Sequence, residues 1–342
     1  MYSVQHLQKR PVLYGGQAVI EGVMIRGQRR AALAVRRPDG LIIRRSIPLE
    51  NWANSSLRNI VLVRGVLVLL ETLLVGMKSL TISANEAVID DSADDEDTQL
   101  SNVAMATLLG VSLVLGIVIF FLIPVFISRL VENAGANNFY ANLVEGGIRL
   151  GLFIAYVWLI GKMNDIKRVF GYHGAEHMVV HAHEAGEPLN VESVRRFPPA
   201  HPRCGTSFLR TVVLVSIIMF MFFPRDPFWF LVVSRIILVP IIAGISYEFI
   251  RYAGTHQRNI WVRLFNLPNI LLQDLTTRPP DDGMMEVAIT AIEYAIAIDE
   301  ERATPSDDAS QMSSDPYEPL NSTASVHQEP IPPTDSPPTS SD

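Results

Sequence analysis

Long apolar stretches dominate the middle of the chain and predict helices that cross a membrane. Each of four stretches has a length of about one bilayer crossing or slightly less and carries few charged side chains. The four stretches are residues 103–127, 146–163, 208–223 and 228–250. We therefore expect a mainly α membrane protein with about four transmembrane helices.

A further apolar stretch, residues 57–80, has a different pattern. Arg64, Glu71 and Lys78 recur every seven residues, so they share one face of a helix. If this helix crossed the bilayer, it would place the arginine-rich segment before it on the outer side, against the usual bias of basic residues towards the cytoplasm. We interpret it as a helix that lies in the membrane interface or packs on the bundle.

The N-terminal region has the alternation and turn residues of a small β-rich unit. The segment 15–27 is rich in glycine and β-branched residues. Pro38-Asp39-Gly40 separates two strand-like runs, residues 31–36 and 41–47, and this turn chemistry predicts a hairpin.

After the last span, residues 279–282 form a helix start, and an almost entirely apolar helix is predicted from about Met284 to Glu301. The residues that follow, 302–342, are rich in Ser, Thr, Pro and acidic residues, which is typical of a disordered segment. The predicted parts are a cytoplasmic β-rich unit (1–56), an apolar helix with an acidic linker (57–100), a four-span domain with a histidine-rich segment (164–207) and cytoplasmic helices (101–301), and a disordered acidic tail (302–342).

Composition supports a membrane protein and indicates which class of partner it contacts. Hydrophobic residues make up 49% of the chain, and the net charge is -7. The tail and the acidic block at 90–97 each contribute -6, so the rest is mildly basic at +5. This suits contact with membrane lipids and lacks the basic and aromatic pattern of nucleic-acid binding. The single cysteine excludes an intramolecular disulfide.

Basic residues also predict the orientation. The segment between the second and third predicted spans is rich in Lys and Arg, whereas the loop between the first and second offers little beyond Arg129. By the positive-inside tendency, the histidine-rich segment and both termini face the cytoplasm.

The strongest chemical signal is the sequence His173-Gly-Ala-Glu176-His177. Two histidines four positions apart lie on the same face of a helix and can bind one metal ion. The order HxxEH is the inverse of the HExxH zinc-protease signature, in which the glutamate takes a proton from water. The pattern predicts a zinc site with His173 and His177 as ligands and Glu176 as general base.

A catalytic zinc has three protein ligands and one open position, so a third ligand is needed. His201, Cys204 and Glu248 are the candidates, because the first two follow in a three-residue spacing and Glu248 lies near the cytoplasmic end of the last span. Arg203 could polarise a substrate carbonyl or phosphate, or contact a lipid headgroup. His181 and His183 extend the histidine run, and we interpret His183 as a solvated interface residue.

Four motifs together resemble the bacterial YqhQ-like family. They are Gly15-Gly16-Gln17-Ala18-Val19-Ile20-Glu21-Gly22-Val23-Met24, Tyr172-His173-Gly174-Ala175-Glu176-His177, His201-Pro202-Arg203-Cys204-Gly205-Thr206-Ser207-Phe208 and Ala243-Gly244-Ile245-Ser246-Tyr247-Glu248. The resemblance runs from about Tyr14 to Ile298. The resemblance implies a protein of the bacterial cytoplasmic membrane, from a family described as predicted metal-dependent enzymes. It also adds Glu21 to the candidate site residues.

Two classes of function remain open. The first is a metal-dependent hydrolase, with a peptidase as one form of it, that acts on a membrane-bound or juxtamembrane substrate. The second is a non-catalytic metal-binding membrane protein: a transporter, a sensor or an assembly factor. Four spans with few polar residues offer little for a transport path, although a homo-oligomer could supply one.

Overall fold

The computed structural model describes residues 14–49, 56–87, 102–201, 204–256, 259–260, 262, 273–302 and 312–313. The predicted acidic linker beyond residue 87 and nearly all of the predicted disordered tail lie outside these residues. Within them the chain is mostly helical, with a small antiparallel sheet near the N-terminus. The predicted fold class is confirmed.

The sheet is a meander of four strands: β1 (Gly15–Val19), β2 (Gly22–Arg26), β3 (Arg30–Arg36) and β4 (Ile42–Pro48). The residue pair Met312–Ser313 adds to the outer edge of β4. The predicted hairpin is confirmed as β3 and β4. Gly40 takes a φ of 90° at its turn, and Asp39 accepts a hydrogen bond from the Leu41 amide.

Both faces of the sheet are covered, which explains why the central strands β2 and β3 are apolar at nearly every position. One face packs on α5 (Asn164–Ala185) and α9 (Asp282–Asp299). The other face carries Leu33 and Val35, which pack with Val75 of α1 (Val63–Glu86). The predicted C-terminal helix is confirmed as α9, whose N-terminus is capped by the Asp281 side chain on the Met284 amide.

The described residues also form eight further helical segments. They are a 3₁₀ turn (Ser56–Asn59), α2 (Asn102–Ile117), a π-helical turn (Val118–Leu122), α3 (Ile123–Asn133), α4 (Asn138–Ile160), α6 (Val191–Val194), and the pair α7 (Thr206–Met221) and α8 (Phe228–Thr255). The π-helical turn lies directly before α3, whose second residue, Pro124, has no N–H to continue the helical hydrogen bonds.

Among the described residues, four helices are long and apolar enough to cross a membrane. They are Val63–Glu86, Gly110–Asn133, Asn138–Ile160 and Phe228–Ala253. The predicted number is therefore confirmed, but the set differs from the prediction in one member. The predicted span at 208–223 is a shorter apolar helix, Phe208–Met221. In its place α1, predicted as interfacial, has the length and composition of a span.

The charged face of α1 is largely engaged inside the protein. Arg64 pairs with Glu248 of α8, and Glu71 accepts from Arg26 of β2 at 2.9 Å. The helix also continues beyond the predicted end at residue 80 as far as Glu86, which is buried and pairs with Arg37 and thereby joins α1 to the sheet. These ion pairs let an apolar helix carry charges without exposing them to hydrocarbon.

Candidate functional site

Helix α5 carries three of the predicted site residues on its buried part. His173 and His177 are one turn apart, and their ring centroids lie 4.4 Å from each other. Glu176 lies beside them and is buried. The helix contains no proline and ends at Gly186 in the left-handed conformation, as a helical C-terminus requires. The predicted helix through the motif is confirmed.

Cys204 meets this pair of histidines from the segment that enters α7. Its Sγ lies 3.2 Å from His173 Nε2. One ligand atom from each of His173, His177 and Cys204 lies within 4.8 Å of the others. Two imidazole nitrogens and one thiol at this spacing match the donor types that zinc prefers. These three residues are called the His–Cys cluster below.

Backbone carbonyls orient both imidazoles of the cluster. His173 Nδ1 lies 2.9 Å from the carbonyl oxygen of Thr276, and His177 Nδ1 lies 2.6 Å from that of Pro199. A carbonyl oxygen only accepts, so each Nδ1 donates, and in a neutral ring the lone pair then lies on Nε2. Metal-binding histidines are typically held this way. For His173, the lone pair also explains the close contact, because the Cys204 thiol can donate to it.

His201 lies next to the cluster in a second histidine group. Its ring centroid is 4.3 Å from that of His181 and 5.8 Å from that of His177. Its backbone is held by Gln273, whose side chain accepts from the His201 amide and donates to the His201 carbonyl, both at 2.9 Å. Glu184 lies 3.6 Å from His201 Nε2. His201 therefore has a defined position at the edge of the cluster.

A small cavity of about 50 Å³ connects these groups. Glu176 lines it together with the cluster, His201 and the start of the sheet at Tyr14, Gly15 and Gly16. The amide of Gly16 hydrogen-bonds the Glu176 carboxylate. A Cβ at residue 16 would lie 2.2 Å from the Met24 carbonyl oxygen, so only glycine allows this approach. The cavity has room for an ion or a water molecule.

Burial disfavours the charged form of three titratable side chains at this site: Glu176, His177 and His201. It raises the pKa of Glu176 to about 7, against the opposing effects of His173 and the Gly16 amide. Burial, with a smaller contribution from His173, lowers the pKa of His177 to about 3. Burial and His181 lower the pKa of His201 to about 4. His177 and His201 are thus neutral at physiological pH, which is the form that binds metals.

Two predicted site residues lie elsewhere in the fold. Glu248 is not brought to the cluster, since its carboxylate pairs with Arg64 between α8 and α1. Glu21, at the tight turn between β1 and β2, accepts from Arg168 and Tyr172 of α5. The hydrogen bond from Arg168 lowers the pKa of Glu21. Glu21 therefore anchors the sheet to α5. One of its two partners, Tyr172, directly precedes His173.

The remaining predicted residues have simpler positions. Arg203 lies outside the described residues. His181 Nε2 lies 3.0 Å from the Ala200 carbonyl. His183 packs edge-on against the Tyr14 ring at 5.2 Å and is partly buried, so it contacts the sheet instead of being fully solvated.

Several contributors to the site were not found from the sequence. They are Gln273, Thr276, Pro199, Glu184 and Gly16. Most of them act through the backbone or through a single amide, and such groups have no characteristic spacing. The one available signal was the glycine pair at 15–16, which typically marks a close approach of another backbone or ligand.

The described residues thus define a class: a helical protein in which they form four candidate membrane-spanning helices, a small sheet and a His–Cys cluster. The family model described as "Protein of unknown function (DUF1385)" matches residues 60–298, and the chain belongs to that family. It is 33% identical over 310 residues to "Uncharacterized protein YqhQ" of Bacillus subtilis (strain 168), covering 87% of this chain and 98% of the relative. The resemblance to a YqhQ-like family is confirmed. No solved structure matches the chain.

Proposed function

We propose that this protein is a metal-dependent hydrolase of the bacterial cytoplasmic membrane, with its site on the cytoplasmic side. The observation that carries the proposal is the convergence of His173, His177 and Cys204 within 4.8 Å. The orientation of both imidazoles by backbone carbonyls supports it further.

The donor set fits a zinc ion with three protein ligands. His173 and His177 would each contribute Nε2, and Cys204 would contribute its thiolate. Three protein ligands leave the fourth position open, which is the arrangement of catalytic zinc sites. When bound in this way, zinc supplies Lewis-acid chemistry and lowers the pKa of water to about 7.

Glu176 has the position of a general base. It lines the same cavity as the cluster, and its carboxylate is held by the Gly16 amide. A carboxylate fixed there could accept a proton from water and return it to a leaving group. Cys204 lies at the entry to the apolar helix α7, which favours a substrate at the membrane. A peptide bond is the substrate class that HxxEH sites suggest.

His201 supports a second candidate, a non-catalytic metal site. Its ring lies 5.8 Å from that of His177 and lines the same cavity. If His201 completed the coordination, four protein ligands would leave no position for water, as in structural zinc sites. A transporter, sensor or assembly factor would then be the better description.

The first experiment measures metal content by mass spectrometry on detergent-purified protein. We expect about one transition metal per chain in the wild type and none in His173→Ala/His177→Ala. The matched control is His183→Ala, which changes a histidine on the same helix that packs on Tyr14 outside the cluster. Absence of metal from the wild type under non-chelating conditions, or its retention in the double variant, would overturn the proposal.

A second experiment separates the two candidates. X-ray absorption spectroscopy on the loaded protein counts the protein ligands. Three of them would favour the hydrolase and four the structural site. In a screen of fluorogenic peptides and esters, Glu176→Gln should keep its metal and lose activity by about 100-fold or more. Full activity in that variant would exclude Glu176 as the base.

A further inference from the structure

A second cavity lies among the candidate membrane-spanning helices and shares no lining residue with the cavity of the His–Cys cluster. Its volume is about 390 Å³. Small-molecule sites have volumes of about 300–1,000 Å³. Residues of α1, α4, α7, α8 and the π-helical turn line it, and nearly all of them are apolar.

The cavity is elongated along α7. Its lining includes Phe208 near the start of this helix and Phe220 near its end. At 1.5 Å per residue these two positions are about 18 Å apart along the helix axis. Phe153 of α4 and Ile242 of α8 form other walls. A long hydrocarbon chain fits such a slot better than a compact polar ligand does.

Arg149 is the one charged residue in this lining. It is buried, with 5% of its surface exposed. Its Nε donates to the Phe120 carbonyl at 3.0 Å, and its Nη2 donates to Glu145 at 3.0 Å. Among the described residues, no group accepts a hydrogen bond from its Nη1. A buried N–H without an acceptor is unfavourable, so this position is suited to a ligand oxygen.

The charge balance around Arg149 also points to an anion. Arg149 belongs to a network of ion pairs, most of them buried, at the end of the bundle next to the α7–α8 turn. The network contains four arginines (Arg129, Arg149, Arg225, Arg235) and three acids (Glu132, Glu145, Asp226). It therefore has one positive charge in excess. A single negative head group would balance it.

We propose that this cavity binds a long-chain carboxylate, with a fatty acid as its simplest member. The hydrocarbon chain occupies the slot along α7, and the carboxylate accepts a hydrogen bond from Arg149 Nη1. Two independent features select this class: an apolar wall of the right length, and one buried guanidinium whose Nη1 has no acceptor in the part of the chain that the structure describes. The site is separate from the His–Cys cluster and does not depend on its metal.

The test uses the full chain in detergent and a fluorescent polyene fatty acid as the probe. Palmitate and hexadecanol then compete with the probe, since they share a chain length and differ in the charge of the head. We expect palmitate to displace the probe at about tenfold lower concentration or better. In Arg149→Gln this difference should disappear, whereas Lys78→Gln, which removes an exposed positive charge from α1, should keep it.

Val212→Trp places an indole in the cavity and should weaken probe binding by about tenfold or more. Its matched control is Leu159→Trp, which adds the same ring to an exposed position of α4. Equal probe binding in Val212→Trp and the wild type would show that the fatty-acid probe adsorbs elsewhere on the apolar surface of the protein. Equal competition by palmitate and hexadecanol in the wild type would indicate a neutral lipid tail. Either result overturns the proposal, and both remain available if Arg149→Gln does not fold.

Discussion

Cys204 Sγ lies 3.2 Å from His173 Nε2, although 31 positions separate the two residues in the sequence. His173 is on α5, and Cys204 lies two residues before the start of α7. Their contact brings a soft sulfur donor to a pair of histidines that a helix had already placed together. This relationship, more than the HxxEH motif alone, makes the site a candidate for transition-metal binding.

The first prediction concerns the sulfur. Cobalt(II) loaded into the wild type should show a near-ultraviolet sulfur-to-metal charge-transfer band, because a thiolate would be a ligand. Cys204 is the only cysteine of the chain, so the band can have no other source. Cys204→Ser should lose the band and bind cobalt more weakly. A wild type without the band, but with cobalt bound, would mean that the third ligand is a different residue.

The second prediction concerns the close approach of β1 to α5. Gly16→Ala should lower the free energy of unfolding by about 1–3 kcal/mol, because the new methyl group would meet the Met24 carbonyl oxygen and the Glu176 side chain. Gly15→Ala is the neighbouring control, since a Cβ there meets nothing within 4 Å. Chemical denaturation of both variants tests the difference. Equal stability would contradict the packing described for this site.

The third prediction separates Glu248 from the metal. Glu248 pairs with Arg64, so Glu248→Gln should retain the same metal content as the wild type. It should instead lower the melting temperature by loosening the contact between α1 and α8. Arg64→Gln should have a similar thermal effect, and the double variant should be less destabilised than the sum of the two. Loss of metal in Glu248→Gln alone would show that this carboxylate is a ligand.

The fourth prediction is a pH dependence of stability. The hydrogen bond from Arg168 lowers the pKa of Glu21 below its ordinary value of 4.5. The folded protein therefore binds a proton at Glu21 less readily than the unfolded chain does. The stabilisation is fully present above about pH 4.5 and is lost as the pH falls through the lower folded-state pKa.

Melting temperatures measured between pH 7 and pH 3 check this. Glu21→Gln should be less stable than the wild type at pH 7, and the two should converge as the pH falls. Glu187→Gln removes an exposed carboxylate after α5 and should follow the wild-type curve throughout. A constant difference between Glu21→Gln and the wild type would show that the pair with Arg168 contributes nothing that titrates.

The sequence by itself determined those features whose causes are local. Two histidines four positions apart share a helical face wherever the helix lies, so His173 and His177 could be paired in advance. The turn at residues 38–40, the capping of α9 by Asp281 and three of the four long apolar helices follow likewise from nearby residues. Which apolar stretches could span was harder to judge, because the charged face of 57–80 spoke against a span. Only the folded protein shows that Arg64 and Glu71 of this face pair with Glu248 and Arg26.

Only the tertiary structure decided which residues join the histidine pair. His201, Cys204 and Glu248 were equal candidates in the sequence, yet Cys204 contacts His173, His201 lies at the edge, and Glu248 pairs with Arg64. The carbonyls of Pro199 and Thr276, which orient the imidazoles, exist at every position of any chain and carry no sequence signal. Contacts between distant segments depend on how helices and strands pack, and that packing is a property of the whole fold.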